Sequence, residues 1–123
     1  MEKLFLFHCS ELTEFKIRQT AATLKIPCTV VPDADYSKTL GAIASGKAAP
    51  LITPYTKEVP PESLLLLCGL ADKRLDKLLA ALKRNNAVVD FKAVLTPTNE
   101  SWTVLKLLLE MHREKAAYEK LTQ

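Results

Sequence analysis

The chain has no pair of cysteines at CxxC spacing and no cluster of cysteine and histidine at zinc-ligand spacing. Its three cysteines, Cys9, Cys28 and Cys68, are odd in number and widely separated. That speaks against a disulfide framework and for reduced thiols in a cytoplasm. No secretory leader is expected either, because the opening KLFLFHC is too short for the apolar region of a signal peptide. The longest uninterrupted apolar stretch falls within residues 64–71, far short of the ~18 residues a membrane span needs. Charge of one sign is also scarce. With 17 basic and 14 acidic residues the net charge is only +3, and a nucleic-acid surface calls for a basic stripe on one face. Neither nucleic acid nor membrane is an expected partner, and no cofactor or metal is expected.

What is present is a chain of 123 residues, 48% apolar and 25% charged, the balance of an ordinary globular domain. The whole of it, residues 1–123, reads as one domain, long enough to bury about two-thirds of its unfolded surface. Residues 3–9 form a short Leu- and Phe-rich run. A helix follows, with Ser10 as N-cap, Glu14 near its positive end, and Leu12, Phe15, Ala22 and Leu24 as its inward stripe. Pro27 closes that helix, and residues 28–31 read as a β-branched strand stopped by Pro32. Tyr36, Leu40 and Ile43 repeat at helical spacing, and Gly46 suits the position just past a helix end.

Residues 48–62 carry four prolines and read as loop, with residues 51–53 expected to dock as a brief edge strand. Residues 63–69 are continuously apolar, the pattern of a strand buried on both faces. The next helix has the clearest stripe, Leu75, Leu78, Leu79 and Leu82, with Lys73, Arg74, Lys77 and Arg84 away from it. Residues 88–96 are the last strand, and a long helix runs from Ser101 to about Lys120.

Strands alternating with helices predict an α/β fold: a compact three-layer domain whose four-stranded, mainly parallel sheet has order 2-1-3-4 and helices on both faces. Ligands of such sheets bind beyond the strand C-termini, where the strand order reverses. His8, Cys9 and Ser10, then Cys68 and Gly69, then Thr96, Thr98 and Asn99 end three strands, and a parallel sheet would gather them on one edge. Thiols, an imidazole and hydroxyls near helix N-termini suit anion binding or nucleophilic chemistry. The structural reading is equally at hand: buried cysteine is a small hydrophobe, no acid is identifiable to orient His8, and Thr98, Asn99 and Ser101 are helix-capping types.

Two further patterns carry less. Residues 41–47 match G-x-x-x-x-G-K, but Ala48 stands where a phosphate loop needs Ser or Thr for magnesium, and the segment ends a helix instead of opening one. Asp33 and Asp35 pair two carboxylates on a loop without a third ligand. The terminal helix has apolar residues to spare. Trp102, Leu105, Leu109 and His112 make a stripe suited to the sheet, while Val104, Leu107, Leu108, Met111, Tyr118 and Leu121 make a second near heptad spacing. The second stripe suggests an interface with another copy of the chain or a protein partner.

Residues 64–86 and 91–114 resemble a family of short, uncharacterised bacterial proteins catalogued as a domain of unknown function. The resemblance rests on a strand ending in Leu95, Thr96, Pro97, Thr98 and Asn99, then a helix start at Trp102 and Thr103 and an acidic Glu110. It covers the second half of the chain, while the first half shares only the alternation of elements. It implies bacterial origin and a small α/β fold, and it transfers no mechanism. The leading expectation is a non-enzymatic interaction or regulatory module, self-associating as a homodimer through the last helix. A binder of a small anionic ligand at the strand-end crevice, or a thiol-dependent enzyme using Cys9 or Cys68, are the alternatives.

Overall fold

The computed structural model describes residues 1–46 and 60–121; the expected edge strand at 51–53, and Lys47 and Ala48 of the G-x-x-x-x-G-K match, lie outside them. The elements are β1 (Lys3–Phe7), α1 (Glu11–Thr23), β2 (Cys28–Val30), a 3-10 turn (Asp33–Asp35), α2 (Leu40–Ser45), β3 (Leu64–Cys68), α3 (Asp72–Arg84), β4 (Phe91–Val94) and α4 (Val104–Leu121). The strand order is β2-β1-β3-β4, as expected. Strand alternation sends Phe5, Phe7, Leu64, Leu66 and Cys68 toward α2 and α4, and Leu4, Leu6, Leu65 and Leu67 toward α1 and α3. Every residue of β3 is buried, which explains its unbroken apolar sequence.

The expected mainly parallel sheet is corrected to a mixed one. β1–β2 and β3–β4 pair parallel, but β1 and β3 pair antiparallel, with Lys3 opposite Cys68 and Phe7 opposite Leu64. A single helical crossover would return the chain to the opposite edge of the sheet. Here α2 already makes that return: Lys3 Nζ donates to the Ala44 carbonyl at 3.0 Å, and the Gly41 amide donates to the Glu100 carbonyl at 2.8 Å. β3 nevertheless enters the sheet with Leu64 opposite Phe7, at the edge where β2 ended, and so runs back against β1.

Local chemistry sets the helix ends. The Ser10 hydroxyl accepts from the Thr13 amide at 3.2 Å, capping α1. Thr39 caps α2 through the Ala42 amide at 3.2 Å, and Gly46 closes it in the left-handed region at φ +70°. Of the expected inward stripe of α1, Leu12, Phe15 and Ala22 are exposed and Leu24 alone packs inward. Ile17, Thr20 and Ala21 are buried with Leu24 half-buried beside them, and Leu12 and Phe15 are 63% and 57% exposed. Thr20 is tolerated inside because its hydroxyl donates to the Lys16 carbonyl and accepts from Asn85 Nδ2, both at 2.8 Å.

On α4 the face toward the sheet draws on both expected stripes. Val104, Leu107 and Leu108 face the sheet and are buried in the core, with Trp102 and Met111 partly buried against it. Residues 112–121 are exposed. An 18-residue helix is about 27 Å long, whereas the five-residue β1 and β3 span about 17 Å. The end of α4 therefore projects past the sheet.

Candidate functional site

The antiparallel β1–β3 pair divides the expected site between two sheet edges. His8, Cys9 and Ser10 follow β1, beside the start of β3. Cys68, Gly69, Thr96, Thr98 and Asn99 lie at the other edge, beside the start of β1.

At the β4 exit the polar groups are used locally. The Thr96 amide donates to Asn99 Oδ1 at 2.8 Å and the Asn99 amide donates to Thr96 Oγ1 at 3.2 Å. Asn99 Nδ2 donates to the Val94 carbonyl at 3.0 Å. Asn99 thus spends its donor and its acceptor closing the turn that leads from strand to helix, and Thr103 caps α4 through the Lys106 amide at 3.1 Å. Trp102 pins that turn to the core, with Lys106 Nζ 4.5 Å above its ring. Gly69 adopts φ +72°, and a Cβ there would lie 2.4 Å from the Met1 carbonyl oxygen, so its absent side chain serves close packing. Burial pushes the Cys68 thiol up to about 11, away from the thiolate.

At the β1 exit Ser10 is committed to its cap, and Cys9 Sγ donates to the Phe7 carbonyl at 3.7 Å. Burial above all drives the Cys9 thiol up to about 11, helped by the carboxylates of Glu14 and Asp90. Burial also raises the Cys28 thiol. The residues with capacity to spare here are others. His8 ends β1 at φ +54°, which tips its ring against Tyr36, centroids 4.9 Å apart. Its amide donates to the Tyr36 hydroxyl at 3.1 Å. Its Nε2 stands 3.9 Å from Asp33 Oδ1, while its buried Nδ1 has no partner among the described residues.

Glu62 is only 8% exposed. One carboxylate oxygen sits 2.5 Å from His112 Nδ1, and the other is buried without a partner among the described residues. Glu62 was hidden in a proline-rich stretch and His112 in an apolar stripe, and nothing in their spacing links them. Among the described residues no group of three or more His, Cys, Asp or Glu could hold a metal ion; Asp35 of the paired acids is taken by Lys38 at 3.1 Å.

Two clefts stand out among the described residues. One of about 380 Å³ lies between β2 and α2, with Phe5, Val31, Pro32 and Ile43 as apolar walls and Asp35 and Lys38 among its lining. The other, about 350 Å³, lies between α3 and β4 beside Leu79, Lys83, Val88 and Lys92.

Residues 63–118 match a domain of unknown function, DUF3783. The DUF3783 match falls on the half of the chain that resembled such a family and covers β3, α3, β4 and most of α4. It leaves out the β1 exit and the cleft beside β2. Comparison with curated proteins and with solved structures finds no match. No helix among the described residues is long and apolar enough to cross a membrane.

Proposed function

We propose that the chain is a non-enzymatic interaction module of a bacterial cytoplasm, pairing with a second copy of itself through the projecting end of α4. The observation that carries this reading is residues 112–121: a helical segment exposed throughout, with Tyr118 and Leu121 68% and 85% exposed. Val104, Leu107 and Leu108 are core residues and leave the interface; Met111, half-buried at the root of the projection, stays at its margin. Exposed apolar side chains such as Leu121 gain from burial, and a partner helix would supply it.

The charges favour a second copy. Three residues to either side of Ala117 stand opposite charges, Glu114 and Lys120. In an antiparallel two-fold pair crossing at Ala117, Glu114 and Lys120 flank the contact face and meet each other across it. Ala116 and Ala117 at the crossing admit close approach, and Tyr118 and Leu121 would cover them. The thiol alternative is weakened because burial drives Cys9 and Cys68 away from the thiolate, and all three cysteines are free, as a reducing compartment would keep them.

Sedimentation velocity across a concentration series tests the reading. The unaltered chain is expected to dimerise, Glu114→Lys to weaken the dimer, and Glu114→Lys with Lys120→Glu to restore it. A monomer at all concentrations overturns the proposal. So does a dimer broken by Phe15→Glu and untouched by Glu114→Lys, which would move the interface to the exposed Leu12–Phe15 face of α1.

A further inference from the structure

We infer that the cleft between β2 and α2 binds an apolar α-amino acid as its zwitterion. The inference is independent of self-association, since no described residue of α4 lines the cleft. Its volume of about 380 Å³ falls within the range of small-molecule sites. Phe5, Val31, Pro32 and Ile43 line it with apolar surface, suited to an aliphatic or thioether side chain.

Among the described residues, the charged part of the lining is a single pair. Lys38 Nζ and Asp35 Oδ1 are 3.1 Å apart, and their side chains are only 26% and 33% exposed. Adjacent opposite charges in a partly dry cleft repel a simple anion with one member and a simple cation with the other. A ligand bearing an ammonium and a carboxylate on one carbon satisfies both, the ammonium on Asp35 and the carboxylate on Lys38.

The edge strand adds backbone groups of both kinds. The Val31 amide donates to the Leu6 carbonyl at 3.0 Å, and the Pro27 carbonyl accepts from the Leu4 amide at 2.9 Å. Residues 27, 29 and 31 are thereby turned toward β1, and parallel pairing turns the amide and carbonyl of Val30 outward. Cys28, two residues earlier on the same outward side, already accepts from Arg18 at 3.4 Å. The Val30 N–H suits a carboxylate and its C=O an ammonium. A nucleotide would want a surplus of donors and positive charge here, and a divalent cation more than one carboxylate.

Isothermal titration of the full chain tests this with L-leucine and L-methionine as probes. 4-Methylpentanoic acid, which lacks the ammonium, and isoamylamine, which lacks the carboxylate, serve as half-charged analogues. Saturable binding of an apolar amino acid is expected, with both analogues weaker by about 10- to 100-fold, the cost of losing a hydrogen-bonded charge. Lys38→Met and Asp35→Asn should each weaken the amino acid to a similar degree. Ala42→Phe, which fills the cleft and leaves the ion pair in place, should abolish binding with an unchanged melting temperature, so that a folding defect in the charge variants does not decide the outcome. No saturable binding at millimolar amino acid, analogues that bind as tightly as leucine, or a cleft-filled variant that still binds would each overturn the inference.

Discussion

Alkylation of the cysteines gives the sharpest test of whether this chain does thiol chemistry. A catalytic cysteine is active as its thiolate, and its pKa is brought down to ~3.5–7.5 by a cationic neighbour or a helix N-terminus. Cys9 and Cys68 move the other way, from 9.0 to about 11, because burial penalises the charged sulfur. Two pH units higher means that near neutrality each carries about one-hundredth of the thiolate of an ordinary cysteine. For Cys68, buried in the core beneath α4, restricted access slows the reaction further. Iodoacetamide labelling followed by peptide mass spectrometry should show Cys9 and Cys68 reacting at least ~100-fold more slowly than free cysteine at pH 7.5. In denaturant all three thiols should react at the free rate. Labelling of either residue within tenfold of the free rate in the native protein would refute the burial argument and reinstate a thiol enzyme. The same shifts set a sign for stability. Unfolded thiols ionise before folded ones, so stability should fall as pH rises from about 9 toward about 11.

Three further outcomes follow from particular contacts. Asn99→Ala removes the acceptor for the Thr96 amide and the donor to the Val94 carbonyl, and urea denaturation should show a loss of about 1–3 kcal/mol. Gly69→Ala should cost more than Gly46→Ala. Both sit near φ +70°, but a Cβ at Gly69 meets the Met1 carbonyl at 2.4 Å while Gly46 has nothing within 4 Å; a melting temperature lowered equally by both would contradict this. Arg74 donates to both Glu2 oxygens, at 2.9 and 2.7 Å, and to the Leu24 carbonyl at 2.7 Å. Its hydrogen bond holds the Glu2 carboxyl below the usual range, so the pair's contribution is present above the unfolded pKa of Glu2 and lost as pH falls through the lowered one. Arg74→Met should flatten that part of the acid-stability curve, read by thermal melts between pH 2 and 6.

Much of the architecture was legible in order and little of it in direction. The unbroken apolar run at 64–68 could only be a strand covered on both faces, and Gly46 and Ser10 terminate helices by chemistry local to their own turn. Strand order 2-1-3-4, the most economical arrangement for alternating elements, matches the sheet. Whether β3 runs with β1 or against it was not legible, because a side-chain period of two reads the same from either end. That direction was decided by the edge at which β3 enters the sheet, Leu64 opposite Phe7, and with it whether His8 and Cys68 share an edge.

The faces of α1 and α4 were decided in the same way. Apolar residues at helical spacing mark more than one stripe, and only the sheet's position selects Ile17 over Phe15, or Leu108 over Leu109. The Glu62–His112 pair and the cleft beside β2 join segments far apart in the chain, and no local pattern encodes such a meeting. The sequence alone determined which elements form, through backbone and capping forces acting within a few residues. Tertiary structure decided which side chains meet, because burial is a property of the assembled layers.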